Sequence, residues 1–394
     1  MESNRVLMVE EGGFGGVGDY GARLAVAIAA EGWEVQLATA RDHPHPPLPG
    51  VDTRAMFPYL RDHGRVSRLL RRIGAGRIFN GLGHAAVIVA LTPRARRFGL
   101  VHTHGAEWPP LAAFQHWIWH LAGAAIVHTP HNTFDRAGGM RVRFKEWAER
   151  RADVVIVHAR ADLPNLTPEV RAKAVVIPHG EYGGLARTGG APDRDEARAE
   201  LGLPAGATVA LLFGQLREDK GIDLLLQAAA EVPELHVVLA GEDKGALEAV
   251  APLLVDERLA GRVVVREGFH SMETAAGFFA AADVAALPYR RASASGVLLL
   301  AYGFARAPVV FPVGGLPEVV KDGETGWICT GTDAGALAAT LRAVVAAGHA
   351  ESARRGAAGA ELAEREFAWP AIARRTVAEA YGPARAARGS GDTG

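Results

Sequence analysis

The chain has 394 residues, a net charge of -1, 49% apolar and 22% charged residues, and one cysteine. That length exceeds one ordinary hydrophobic core and favours two domains, while the near-neutral charge argues against a nucleic-acid binder. A lone cysteine excludes an internal disulfide and disfavours a zinc-thiolate cluster, which fits a reducing cytoplasm, and neither a secretion signal nor an apolar run of about 18 residues is visible.

In chain order, Val6–Glu10 reads as an apolar strand, Gly12–Gly18 as a glycine loop, Asp19–Glu31 as an amphipathic helix and Glu34–Ala38 as the next strand. This is a βαβ opening with a parallel sheet. The loop contains a formal GxGxxG between Gly13 and Gly18. A nicotinamide site would add a carboxylate at the end of the second strand, but VQLATARD places Asp42 beyond an arginine and several residues late. A tight βα turn with close helix packing is the plainer alternative, and a cradle for a ligand's phosphate or sugar is the preferred reading.

Arg61–Arg77 brings Arg65, Arg68, Arg71 and Arg72 within about two helical turns. It suits an anionic acceptor, a peripheral membrane contact, or simply a solvated face. Strands follow at Leu100–Thr103, Ala125–Thr129, Val154–Val157 and Val175–Ile177, completing a doubly wound domain. His102, His104, His128 and His131 gather at two strand ends, in HTHGAEW and HTPHNTF. Without a matching carboxylate they make a poor metal set, and a histidine meeting a sugar hydroxyl is the better use, with His131 furthest into its loop.

Gly183–Asp195 is rich in Gly, Pro and charge and reads as a linker. The α/β pattern then restarts, with strands at Thr208–Phe213, His236–Ala240, Val263–Arg266, Asp283–Leu287 and Pro308–Phe311. The expected domains are therefore 1–183 and 196–368, joined by a linker over 184–195. A helix at about 369–383 is expected to pack back on the first domain, before a disordered tail from 384 to 394. Two open parallel sheets place their strand-end loops, and the function, in an interdomain cleft. In the second half, Gly214–Gly221 carries Arg217 and Lys220 three residues apart, suited to a diphosphate or to pairing with Glu218 and Asp219. The turn Ser295-Gly296-Val297 begins a helix, whose first amides form an anion site.

Taken in order, the glycine loop, HTPHN, GQLREDKG, LAGE and PVVFPVGGLPEVVKDGETG resemble the GT-B glycosyltransferases of family 4 over nearly the whole chain. The resemblance implies two Rossmann-like domains and a retaining transfer from a nucleotide diphosphate sugar to an acceptor hydroxyl, with no metal and no cofactor beyond that co-substrate. It places Gly15 and Gly16 at the donor phosphates, His131 at the transferred sugar, and Lys220 at the diphosphate. Gln215 stands where the family has an arginine, making Arg217 the substitute. The usual paired glutamates fall at Ser293 and Ala301, as in a subgroup with an S-G-V turn. The donor set is completed by Gly214, Ser293, Ser295, Gly296, Val297, Gly314 and Gly315, and the acceptor set is His104, Asn132, Arg68 and Arg72. Acceptors in view are a glycan, a lipid-linked glycan or a small natural product, with the enzyme cytoplasmic or peripheral at the inner membrane face. The competing readings are a nicotinamide oxidoreductase using Gly13–Gly18 and a catalytically silent sugar-nucleotide binder.

Overall fold

A computed structural model describes residues 4–13, 15–43, 46–58, 76–105, 108–133, 139–183 and 192–389. The chain forms two compact units, one of Met1–Pro178 with Trp369–Gly394 and the other of His179–Ala368. The first unit holds a seven-stranded parallel sheet of β1 (Arg5–Glu10), β2 (Glu34–Ala40), β3 (Val51–Phe57), β4 (Leu100–His104), β5 (Ala125–Thr129), β6 (Val154–Val157) and β7 (Ala174–Val176). Its order is β3-β2-β1-β4-β5-β6-β7. The second holds β8 (Thr208–Phe213), β9 (Leu235–Gly241), β10 (Val263–Glu267), β11 (Val284–Leu287), β12 (Ala307–Val310) and β13 (Trp327–Ile328), in the order β10-β9-β8-β11-β12-β13. Both orders are Rossmann-like and reverse direction beside their first strand, between β1 and β4 and between β8 and β11. Loops at the carboxyl ends of those pairs form the natural ligand crevice of such a sheet.

Buried strands of this kind need apolar residues on both faces. Val6 and Met8 enter one core of the first unit and Leu7 and Val9 the other. Likewise Val209 and Leu211 face one core of the second unit and Ala210 and Leu212 the opposite one. Each sheet is thus covered on both sides, the three-layer arrangement of a doubly wound fold.

Several boundaries differ from expectation. Strand β3 lacks an apolar run because it is a sheet edge, where Asp52 and Arg54 pair at 2.9 Å and face solvent. Strand β13 has only two residues and gives no period to read. The helix expected from Asp19 begins at Gly15, inside the glycine loop. Residues 179–183 join the second unit because Tyr182 is buried in its core. Of the expected linker, 184–191 lie outside the described residues, and Arg194–Leu201 is already a helix capped by Asp193. The expected tail from 384 is helical through Gly389. Ala384 sits in the core of the first unit, the Arg385 guanidinium lies 5.0 Å over Trp33, and Arg388 pairs with Asp153 at 3.4 Å. Those contacts offset the ordering cost that the small and charged sequence suggested would prevail.

Candidate active site

In the second unit the chain leaves β8 through Gly214, with φ of 106°. The turn lies tight against the end of β9, since a Cβ on Gly241 would stand 1.7 Å from the Gly214 carbonyl oxygen. Arg217 donates to both Asp219 carboxylate oxygens at 3.0 and 3.3 Å and to Gln215 Oε1 at 2.9 Å. Its charge is therefore partly matched within the loop, and Gln215 orients the guanidinium rather than replacing it. Residues Glu218–Lys220 make one 3₁₀ turn that places Lys220 Nζ 3.5 Å over the ring of Tyr289. A cation so placed is attracted by the negative face of the ring.

Tyr289 and Arg290 follow β11 and bind the two loops together. Arg290 donates to Glu218 O at 2.8 Å and to both Asp223 oxygens at 2.8 and 2.6 Å, which holds the Asp223 carboxyl below its ordinary range. Tyr289 is buried, burial pushes its phenol pKa up, and its hydroxyl hydrogen-bonds Ser295. Ser295 in turn caps the helix Gly296–Gly303, its hydroxyl accepting from the Leu298 amide at 3.3 Å. Lys220, Tyr289 and the helix start thus form one connected group.

Among the expected donors, Gly296 and Val297 present the first amides of that helix, groups that have no acceptor within a helix. The Gly315 amide is instead committed to Ser293 O at 2.8 Å, and the Ser295 hydroxyl is engaged as a cap. Gly314, with φ of 56°, allows this closure, since a Cβ there would meet Ala292 O at 1.7 Å. Ser293 is buried, and Ala301 is wholly within the core.

In the first unit Glu10 ends β1 and accepts from the amides of Gly12 at 2.9 Å and Gly13 at 2.6 Å, fixing the glycine turn. Gly13 and Gly18 are packing glycines: a Cβ on Gly18 would stand 2.8 Å from the Gly13 carbonyl carbon, and one on Gly13 2.8 Å from Ala40. A Cβ on Gly15 or Gly16 would meet nothing within 4 Å. The turn therefore combines a structural pair with an open pair at a helix start. Strand β2 ends in Thr39 and Ala40 with no carboxylate for a ribose, so the nicotinamide reading is not favoured.

His104 ends β4, His131 follows β5 and His158 follows β6, around the ring of Tyr20 at centroid distances of 5.6, 4.8 and 5.0 Å. His104 is buried, and neither ring nitrogen has a hydrogen-bond partner among the described residues. His131 has φ of 58°, a left-handed backbone that side chains seldom adopt and that recurs at functional sites. The exposed Asn132 amide closes a turn onto Pro130 O at 2.7 Å, and its carbonyl accepts from Lys145 Nζ at 2.6 Å. His102 is bonded to Tyr381 and Thr129, and Thr103 to His116 and His128. Burial lowers the pKa of His102, His104, His116, His128 and His158, so these imidazoles are neutral. No three His, Cys, Asp or Glu side chains among the described residues are grouped to hold a metal ion. Arg68 and Arg72 lie outside the described residues.

Sequence reasoning gave no role to Glu10, Tyr20, His158, Tyr289 or Arg290. A carboxylate at a strand end two residues before the glycines was a usable signal for Glu10, and an arginine in the loop after a strand for Arg290. Tyr20 sits inside a helix pattern and carries none.

The description "Glycosyltransferase Family 4" fits residues 14–180, and "Glycosyl transferases group 1" fits residues 193–361. The D-inositol 3-phosphate glycosyltransferase of Kineococcus radiotolerans is 31% identical over 93% of this chain and 90% of its own. The chain is a group 1, family 4 glycosyltransferase. A Streptomyces avermitilis relative of the same name is 29% identical over 93% of this glycosyltransferase and 82% of its own length. Among solved structures, sucrose-phosphate synthase from Thermosynechococcus elongatus covers 98% of this chain and 100% of its own at a TM-score of 0.73 and 24% identity. Anabaena HepE in complex with UDP-glucose covers 96% of this chain and 99% of its own at 0.71 and 17%. These likenesses give the glycosyltransferase the GT-B fold.

Proposed function

We propose that this glycosyltransferase moves a sugar from a nucleoside diphosphate sugar to an acceptor hydroxyl, with retention of configuration and without a metal ion. The observation that carries this reading is the meeting of Lys220, Arg217 and the amides of Gly296 and Val297 at the β8–β11 reversal. These groups suit a diphosphate. As the bond from the sugar C1 to the diphosphate oxygen breaks, negative charge grows on that oxygen, and fixed cations and amides stabilise it. The new bond forms from the acceptor oxygen to C1 on the same face, and the acceptor proton passes to the departing diphosphate. No protein carboxylate is needed for that step, so the absence of glutamates at Ser293 and Ala301 changes how the ribose is held rather than the chemistry.

In the first unit, His104 and His131 stand side by side after β4 and β5, where a sugar or acceptor hydroxyl would be met, and Gly15 and Gly16 leave room for a phosphate. Two relatives are named for D-inositol 3-phosphate, and the arginine-rich stretch 61–77 supports a phosphorylated polyol as the acceptor. HepE binds UDP-glucose, which supports a uridine donor. Among the described residues no helix is long and apolar enough to cross a membrane.

The test is a thermal-shift panel of UDP-, GDP- and ADP-sugars with NADH as a control, followed by incubation of the stabilising donor with D-inositol 3-phosphate and other polyols. Stabilisation by one donor, EDTA-insensitive release of its nucleotide and a product of retained anomeric configuration are expected. Stabilisation without release or transfer would point to the silent reading, and stabilisation by NADH alone would overturn the proposal.

A further inference from the structure

The environment of His131 fixes more than its position. His158 Nδ1 lies 2.9 Å from the Ile177 carbonyl oxygen, and a carbonyl accepts, so Nδ1 carries the proton. His158 is buried and burial disfavours its charged form, so its Nε2 keeps a lone pair. That Nε2 stands 3.3 Å from His131 Nδ1. Two lone pairs do not face each other at this distance, so His131 Nδ1 must be the donor.

We propose that His158 is a positioning residue that locks the neutral form of the His131 ring, whenever that form is present, as the Nδ1–H tautomer, in which Nε2 is a hydrogen-bond acceptor. An acceptor there recognises a group that donates, namely a hydroxyl of the transferred sugar or of the acceptor molecule, and does not serve a phosphate oxygen. The left-handed backbone of His131 and the Tyr20 ring against both imidazoles hold the pair in register. Sequence alone gave no reason to link two strand-end histidines 27 positions apart. The assignment of the hydroxyl rests on the proposed sugar transfer, whereas the tautomer does not.

The experiment is nitrogen NMR of the histidine rings in the full chain labelled with 15N-histidine, with His131 signals assigned by their loss in His131→Gln. The expected spectrum shows His131 Nδ1 protonated and Nε2 unprotonated at a pH where the ring is neutral. His158→Leu should move His131 toward the Nε2–H form, while His158→Gln, whose side-chain carbonyl still accepts, should preserve the original tautomer. With UDP-glucose as the probe donor and D-inositol 3-phosphate as acceptor, His158→Leu should lower kcat about ten- to hundredfold with KM little changed, as expected for a misplaced contact to reacting groups. His158→Gln should restore most of it. Deoxy analogues of the donor and of the acceptor separate the two hydroxyl sources: only the analogue lacking the contacted hydroxyl should react at similar rates in wild type and His158→Leu. An Nε2–H tautomer of His131 in the wild-type protein overturns the proposal whether or not the His158 variants fold. A correct tautomer in a protein that transfers no sugar would leave this inference standing and remove the functional reading.

Discussion

Lys220 rests on an aromatic neighbour: the Tyr289 ring takes the ammonium at 3.5 Å, and the Tyr289 hydroxyl is tied to the helix cap at Ser295. Lys220→Met keeps much of the side-chain stem and deletes the charge, so turnover of the stabilising donor should fall by about 100-fold, the scale of losing one preorganised charge-stabilising group. Steady-state kinetics check this, and undiminished kcat/KM would remove Lys220 from the site. Glu149 is a second residue with a measurable signature. Burial raises its pKa to about 7, against the pull of Lys145 at 3.9 Å, and Lys145 also holds the Asn132 carbonyl. The folded state therefore keeps the proton that the unfolded chain releases near its ordinary value, so this residue costs stability as pH rises toward 7, by up to about 3 kcal/mol. Glu149→Gln should consequently gain stability over wild type between about pH 5 and pH 8 in urea titrations; a pH-independent difference would contradict the assigned burial. Lys220 was legible in the sequence from its loop context, but Tyr289 was not, because a strand-end tyrosine gives no hint that a lysine from another loop will rest on it.

Two elements make contrasting claims. In the helix Gly15–Ala30, Gly18 packs against the backbone of Gly13 whereas Gly16 borders open space. Gly18→Ala should therefore lower stability by roughly 1–3 kcal/mol, the cost of overpacking, while Gly16→Ala should leave the melting temperature nearly unchanged and raise KM for the donor if a phosphate lies there. Differential scanning calorimetry with donor kinetics distinguishes the two, and equal destabilisation would make the whole loop structural. At the start of β11, Asp283 accepts from the Val209 amide at 2.7 Å and from Arg198, Arg194 and His349 at 2.8, 3.0 and 2.9 Å. Burial pushes its carboxyl up, but the Val209 amide and Arg198 outweigh that and hold it below the ordinary range. Asp283→Ala leaves the buried Arg198 with backbone carbonyls but no carboxylate to balance its charge and should cost about 3–5 kcal/mol, read as a lowered denaturation midpoint; a neutral effect would contradict it. These elements show what the sequence made legible. Long apolar strands and the glycine loop declared themselves through period and punctuation. The edge strand β3 did not, because its outward residues are charged, and the Asp283 network joins residues 66 to 89 positions apart, which no local pattern carries.

At the scale of the whole molecule, the two units differ in how they meet acid. Among the described residues the first carries six imidazoles, His102, His104, His116, His120, His128 and His158, with pKa lowered by burial, that of His116 to about 4. Their unfolded forms take up protons below about pH 6.5 while the folded forms do not, so stability is lost as pH falls from there toward the folded values. Glu149 works in the opposite sense, but it is one group against six, and the second unit carries one such imidazole among the described residues, His236. The buried Asp283 of the second unit keeps its contribution until pH falls below the ordinary carboxylate value. Limited proteolysis from about pH 7 to about pH 5 should therefore cut the first unit before the second; the reverse order would contradict the assigned burial of the histidines. Under the proposed function a nucleoside diphosphate rests on the loops following β8 and β11. Hydrogen exchange of the full chain with and without UDP tests it most directly: residues 214–221 and the amides of Gly296 and Val297 should exchange more slowly with UDP bound, and UDP binding that leaves both stretches unchanged would contradict the account.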